Sequence, residues 1–409
     1  MSSERTLVRF DELCDIKRGA SPRPIQDWMA PTGIPWVKIS DATASKTRFI
    51  DSTAEFIKEE GGRYSVAVHP GDFILSNSAT PGLPKVMRIN ACIHDGWLLL
   101  RNFRRITKEY CYYLLLNERP KLVARGNGSV FTNLKTDILK SHVVEIPTLV
   151  EQAQVTDVLL ALDNRIDLLR HTNATLESIA QALFKSWFVD FDPVRAKAEG
   201  REPEGMDAAT AALFPAEFEE STLGSIPKGW EVARLDDILE LAYGKALKST
   251  DRRPGCVPVY GSGGITGYHD EALVNHPSVI VGRKGTVGAL YWEDRPFFPI
   301  DTTFYVKPRT APLTFCFYGM QRLGLENMNT DAAVPGLNRE NAYRLQLIRS
   351  TDAVLKEFDV LVAALRDGIR ANSQRAETLA ALRDSLLPRL ISGKLRVTEA
   401  QAELEEVIL

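Results

Sequence analysis

Long apolar runs are missing from this 409-residue sequence. A membrane-spanning helix needs roughly 18 to 20 consecutive apolar residues; no segment approaches that, and the amino terminus MSSERTLVRF offers no apolar stretch fit for a secretory signal. A soluble, cytoplasmic protein is expected. Cysteine is scarce too. Cys14, Cys92, Cys111, Cys256 and Cys316 are scattered without a C-x-x-C pair, which argues against a zinc ribbon or a disulfide framework and for a reducing compartment. The six histidines, His69, His94, His142, His171, His269 and His276, lack metal-ligand spacing. Positive charge is not in excess either: 50 Lys and Arg stand against 53 Asp and Glu, for a net charge of −3. Any nucleic-acid face must therefore concentrate its cations locally and offset them elsewhere.

Catalytic signatures are also absent. The Asn/Asp-Pro-Pro-aromatic string by which an adenine methyltransferase holds its base does not occur; Asp192-Pro193-Val194 lacks the second proline and the ring. No phosphate-binding loop of the form G-x-x-x-x-G-K-S/T is present. The glycines of 261–267 have the wrong spacing for a dinucleotide loop, and Asp15-Ile-Lys17 has no acidic partner for nuclease chemistry. No catalysis and no cofactor are expected of this chain.

What is present is a repeat. Residues 8–19 align with 233–244, matching Asp11 to Asp236 and Gly19 to Gly244, and each reads as a short amphipathic helix ending in glycine. Residues 72–82 align with 278–288, matching Thr80 to Thr286 and Gly82 to Gly288, and each reads as a buried strand entering a glycine-bearing turn. β-like runs at Val66–Val68, 73–75, 279–281 and 304–306 indicate mixed α/β domains.

Each half then closes on a heptad. Val155, Leu159, Leu162, Ile166, Leu169, Asn173, Leu176, Ala180, Leu183 and Trp187 alternate spacings of four and three. The same spacing returns 203 positions later in Phe358, Val362, Leu365, Ile369, Asn372, Ala376, Leu379, Arg383, Leu386 and Leu390. Such seams predict coiled-coil helices, each with one asparagine to fix register. A helix over 150–187 is roughly 55 Å long at about 1.5 Å per residue and needs a partner along its length. Its own copy, paired antiparallel across a pseudo-two-fold axis, is the natural one. Pro388 should bend or end the second helix near its last turn. Residues 191–206, polar and rich in Gly and Pro, read as a surface connector. Phe184, Trp187, Phe188 and Phe191 are too aromatic for a helix end left in water, and serve either packing against the domains or docking of a partner.

Several strings together resemble the specificity subunits of type I restriction-modification systems. Residues 181–197, QALFKSWFVDFDPVRAK, look like the central conserved region of one large branch of that family. Pro227-Lys-Gly-Trp230 with Leu235-Asp-Asp-Ile238 resembles the start of a target-recognition domain, Gly282-Arg-Lys-Gly-Thr-Val-Gly288 resembles a glycine-rich turn within one, and Glu151-Gln152 is similar to the pair that opens the family's conserved helix. Departures exist. The first half has Ser76-Asn-Ser78 where the second has Gly282-Arg-Lys284, and Lys356-Glu357 stands where the second helix lacks the Glu-Gln.

The resemblance implies an α/β protein in which two mixed α/β target-recognition domains are separated by a long antiparallel two-helix coiled coil, as a pseudo-two-fold internal repeat. Its parts are a first recognition domain over 1–148, a first long helix over 149–188, a connector over 189–228, a second recognition domain over 229–349, a second long helix over 350–392 and a C-terminal tail over 393–409. It also implies double-stranded DNA with a bipartite site as ligand, two methyltransferase subunits that carry the S-adenosylmethionine, and room for motor-nuclease subunits. With that likeness Arg283 and Lys284 become the leading DNA contacts, since arginine reads guanine in the major groove. Thr286, Lys245, Lys248 and Tyr260 join them in the second domain; Arg18, Arg23, Ser76, Asn77, Ser78 and Thr80 are their counterparts in the first, with turn chemistry as the competing reading. Arg101, Arg104 and Arg105 form a basic cluster suited to phosphates. The rival from another class is a coiled-coil scaffold protein that does not bind DNA.

Overall fold

The computed structural model describes residues 5–126, 133–328 and 336–408. The chain forms two compact units, Met1–Leu169 with Arg375–Leu409, and Arg170–Gln374. The division falls inside both long helices, Leu149–Lys185 and Asp352–Ile391. Each unit thus contains one mixed α/β domain and one segment of each helix.

In the first unit Thr6–Arg9 pairs antiparallel with Val143–Ile146. Two five-stranded sheets follow. One runs in the order Asp15–Arg18, Trp97–Arg101, Phe73–Ser76, Pro84–Met87, Phe49–Ile50, and its strand Phe73–Ser76 is buried on both faces. The second unit repeats the plan. Glu231–Arg234 pairs with Gln346–Arg349, and a four-stranded sheet runs Leu239–Tyr243, Thr303–Pro308, Ser278–Gly282, Leu290–Glu293.

One expectation fails in both halves for the same reason. Residues 8–19 and 233–244 are not amphipathic helices ending in glycine: a single turn, Phe10–Leu13 or Leu235–Ile238, gives way to a strand, Asp15–Arg18 or Leu239–Tyr243. Those strands are claimed by pairing with Trp97–Arg101 and Thr303–Pro308, a long-range contact that local periodicity does not register. Gly19 and Gly244 serve close approach and not helix capping. A Cβ on Gly19 would lie 2.1 Å from the His94 carbonyl oxygen, and one on Gly244 would lie 2.2 Å from that of Ile300.

The helix segments pair antiparallel within each unit. In the second unit partner numbers fall as residue numbers rise: Asn173 meets Asn372, Glu177 meets Arg366, and Phe184 meets Phe358. Asn372 Nδ2 donates to Asn173 Oδ1 (3.0 Å), while Asn173 Nδ2 donates to the Ile369 carbonyl (3.1 Å) and to Ser373 Oγ (3.0 Å). The two seam asparagines therefore bond to each other. In the first unit Arg383 Nη1 donates to Asp163 Oδ1 (2.6 Å), and Arg5 joins Glu151 (3.0 Å) to the Ile391 carbonyl (2.6 Å).

Each seam closes a domain core. Leu159, Leu162, Ile166 and Leu169 pack in one cluster with Leu379, Leu386, Phe10, Phe73 and Leu98. In the second unit Leu183, Val362 and Leu365 pack with Leu235, Val281 and Phe304. Leu176 touches the helix at Gly368, where a Cβ would be 3.4 Å away. Phe184, Trp187, Phe188 and Phe191 are all buried in this second cluster, so packing against the domain accounts for them. The segment 191–206 and its continuation are ordered: short helices Asp192–Ala198 and Ala208–Ala212 and a hairpin of Phe218–Ser221 with Gly224–Pro227 bury Val194, Phe214 and Ile226. Its charged residues Asp192, Arg195, Glu199, Arg201, Glu202 and Glu204 face outward, while Lys197 turns in to the Ala211 and Phe214 carbonyls. The second long helix passes through Pro388 and ends three residues later at Ile391, and a further helix, Val397–Ile408, follows where a tail was expected. Among the described residues no helix is long and apolar enough to cross a membrane.

Gln152 anchors the first helix to its domain. Fully buried, it donates from Nε2 to the carbonyls of Arg105 (2.9 Å) and Pro147 (3.0 Å) and accepts the Thr107 N–H at Oε1 (2.9 Å). Truncation leaves one donor and two acceptors unpaired in the interior. Gln152→Ala is expected to destabilise the chain by about 3 kcal/mol, read as a lower denaturation midpoint.

Candidate nucleic-acid interface

The two turns aligned from sequence have the same backbone. In the first domain Ser76 N–H donates to the Leu83 carbonyl (3.0 Å) and Gly82 N–H to the Ser76 carbonyl (2.8 Å); in the second, Gly282 N–H donates to Ala289 (2.8 Å) and Gly288 N–H to Gly282 (2.8 Å). Asn77 N–H reaches the Gly96 carbonyl (2.8 Å), and Arg283 N–H reaches that of Thr302 (2.9 Å). Leu134 N–H closes the first turn on Asn77 (2.7 Å), as Leu337 N–H closes the second on Arg283 (2.8 Å). Gly82 and Gly288 have φ of +76° and +73°, a left-handed conformation that favours glycine.

The side chains differ on this shared frame. Asn77 Nδ2 donates to the Asp95 carbonyl (3.0 Å), and Arg283 Nη1 donates to the Asp301 carbonyl (2.8 Å). The same bond is made by an amide in one domain and a guanidinium in the other. Asn77 is spent on it and buried; Ser76 is buried too, donating to the Thr80 carbonyl at 2.5 Å. Tyr260 is likewise interior, with its hydroxyl donating to Glu293 (2.9 Å), and burial with that carboxylate raises its pKa. These three residues leave the solvent-facing candidates, because their polar atoms brace the domain.

Arg283 keeps donors to spare. Its guanidinium lies 5.0 Å from the Tyr243 ring centre, and that of Arg339 lies 4.9 Å from the same ring. Tyr243 is 48% exposed, and Arg339 Nε is buried with no hydrogen bond among the described residues, its nearest charge partner being Glu340 at 3.6 Å. Two cations thus flank one exposed ring, an array that suits phosphate or base edge. The sequence reading missed both Tyr243 and Arg339, since they lie far apart in the chain and neither belongs to a glycine-rich string. Lys284 and Thr286 are exposed on this turn, and Lys245 and Lys248 are exposed on the segment that follows Tyr243.

In the first domain Asp95 is the organising group. Arg18 Nε donates to its carbonyl (2.9 Å), Ser21 Oγ to its carboxylate (2.8 Å), and Arg23 pairs with the carboxylate at 3.3 Å. Burial disfavours the Asp95 carboxylate, but Ser21 and the Arg23 charge outweigh it and hold the pKa below the usual range. Arg18 and Arg23 remain exposed; Ser78 and Thr80 are half-buried on the turn. The cluster of Arg101, Arg104 and Arg105 is not a free basic patch, because Arg101 is paired with Asp72 and Arg104 with Asp15. Among the described residues no group of three or more His, Cys, Asp or Glu is arranged to hold a metal ion.

The glycines make a quantitative distinction. A Cβ at Gly82 would meet only the flexible Arg119 side chain, nearest atom 3.0 Å, whereas one at Gly288 would fall 2.3 Å from backbone atoms of Leu325 and Glu326. Gly82→Ala is expected to cost about 1 to 2 kcal/mol from the left-handed backbone alone, and Gly288→Ala at least about 3 kcal/mol. Thermal unfolding of the two variants checks this order.

The sequence model of the family described as type I restriction modification DNA specificity domain matches residues 3–178 and 227–331. The chain is 25% identical to the type I restriction enzyme HindI specificity subunit of Haemophilus influenzae, over 94% of this chain and 98% of that one. It is 24% identical to the MjaIX specificity subunit of Methanocaldococcus jannaschii, over 96% and 94%. The crystal structure of a type I restriction-modification S subunit from M. genitalium shares the fold, with a TM-score of 0.55 at 16% identity, covering 95% of this chain and 96% of that one.

Proposed function

Because the chain belongs to the type I restriction-modification DNA specificity family, we propose that it is the DNA-reading, non-catalytic subunit of such a complex. Each mixed domain reads one half of a bipartite duplex site. The paired long helices dock two adenine-methyltransferase subunits, which use S-adenosylmethionine, and leave room for motor-nuclease subunits.

The observation that carries this reading is the duplicated turn. One hydrogen-bonded backbone presents Arg283, Lys284 and Thr286 in the second domain and Ser78 and Thr80, beside Arg18 and Arg23, in the first. A shared frame with different donors is what reading two unlike half-sites requires. Arg283 suits a guanine edge and Arg339 a phosphate, with Lys245 and Lys248 adding local charge that the net charge of −3 conceals.

The complex with its methyltransferase partner is expected to bind a bipartite duplex with log affinity falling linearly in log salt, by about 0.9 per phosphate contacted. Arg283→Ala should relax sequence preference at one half-site and leave the other sharp; equal relaxation at both refutes its role. Arg339→Ala should weaken all sequences alike and reduce the salt slope by about one. Competition binding on duplexes randomised at each half-site reads both effects. For the helices, truncation before Ala353 should abolish methyltransferase assembly, followed by size-exclusion chromatography; intact assembly would count against docking there.

A further inference from the structure

The first domain holds a cavity of about 690 Å3 between the loop 21–26, the segment 36–40 and the pair His94–Asp95. Its wall is continuous with the turn just described. A Cβ on Gly96 would lie 2.2 Å from His94 Cε1 and 2.6 Å from Ser78 Oγ, so the absence of a side chain at Gly96 is what lets the imidazole and the turn approach each other. Gly96 also accepts the Asn77 N–H that sets the turn.

The tautomer of His94 follows from one bond. Gly96 N–H donates to His94 Nδ1 at 2.8 Å, so Nδ1 is an acceptor and the neutral ring carries its proton on Nε2. Burial lowers the pKa of this ring, and the nearby Asp95 carboxylate offsets that only in part. Nε2 has no hydrogen-bond partner among the described residues, although the side chain is only 20% exposed. The ring packs near Trp97 and near Trp36, which lines the same cavity, at 6.5 and 6.0 Å between centres. The site thus contains a neutral N–H donor whose tautomer is set by Gly96 and which no acceptor among the described residues engages.

Cations stand around the opening but are already matched: Arg23 and Arg18 with Asp95, and Lys38 with Glu55. They suit a strand running past, whereas the neutral donor suits an uncharged acceptor. The second domain has no counterpart, because Ile300 occupies the equivalent place: His94 and Ile300 each accept the N–H of the residue three further on, Trp97 (3.1 Å) and Thr303 (3.0 Å).

Resting on the function proposed above, we infer that His94 is a specificity-determining residue of the first domain, its Nε2–H donating to a base-edge acceptor in the major groove, namely guanine O6 or N7, adenine N7 or thymine O4. Of the four bases only cytosine presents no such acceptor in the major groove, so cytosine at that position leaves the donor unpaired and is rejected.

The test uses the full chain with its methyltransferase partner and duplexes randomised at each half-site. His94→Asn is the informative variant, because its Oδ1 can still accept the Gly96 N–H while the Nε2 donor is lost. Preference at one base pair of a single half-site is expected to fall roughly tenfold, and this half-site must be the one that Arg283→Ala leaves sharp. Unchanged preference throughout, or an equal loss at both half-sites, overturns the inference. A wild-type complex with no sequence preference at all defeats the parent reading instead, so the two failures are distinguishable.

Discussion

Each unit depends on two helix segments, distant in sequence, meeting in one register, and polar groups inside the seam enforce it. Asp163 and Arg383, 220 positions apart, pair beneath the first domain, and Tyr113 donates to the other carboxylate oxygen at 2.6 Å. In the second unit Arg366 pairs with Glu177 at 2.8 Å, and Tyr318 donates to the same carboxylate at 3.3 Å. The two tyrosines occupy matching helices of the two domains, Lys108–Gly126 and Leu313–Met320. An ion pair taken out of water is costly unless every lone pair is met. A slip of one heptad would part Asp163 and Glu177 from their arginines, leave Arg383 with only its helix neighbour Asp384, and break the bond between Asn173 and Asn372. Apolar side chains supply the driving force for the pairing; these polar contacts decide which pairing wins.

That seam was the most legible part of the fold. Ten positions at alternating spacings of four and three survive any surface substitution, and their recurrence at an offset of 203 identified the partner as well as the helix. The small elements were less legible, and Asp15–Arg18 and Leu239–Tyr243 show why. Four or five residues carry too few periods to separate a helix from a strand, and the deciding contact is a partner strand some 60 to 85 residues away. The polar segment 191–206 is largely exposed, as a surface connector should be, and its few apolar residues, Phe191, Val194 and Ala196, fix it to the core.

The candidate site divides along the same line. Glycine-bearing turns were visible because φ above zero and close backbone approach leave few alternatives to glycine. Which side chains are free on those turns was not visible, since freedom depends on neighbours that only tertiary structure supplies. Asn77 and Arg283 hold equivalent places, yet the amide is consumed in bracing while the guanidinium has donors left over. Tyr260 carries a polar tip on a strand and read as a candidate, but its hydroxyl donates in the interior to Glu293, on a strand of the other sheet. Arg339 and His94 escaped attention because each gains its meaning from one contact, Tyr243 for the first and Gly96 for the second.

The frame of the turn outlasts its glycines, and this explains how two halves of one chain can diverge in what they read. Gly285 has φ of +89°, and its counterpart in the first domain is Ala79 at +55°. An L-residue in that region costs roughly 1 to 2 kcal/mol relative to glycine. The cost is met by four backbone bonds that the two turns share, anchored on strands buried on both faces. Glycine is therefore a convenience at this position, whereas the bracing bonds are obligatory. Once the backbone is held by its neighbours and not by its own sequence, the side chains at 78 and 80, or at 284 and 286, are free to differ between the two domains, while 77 and 283 keep the bracing bond.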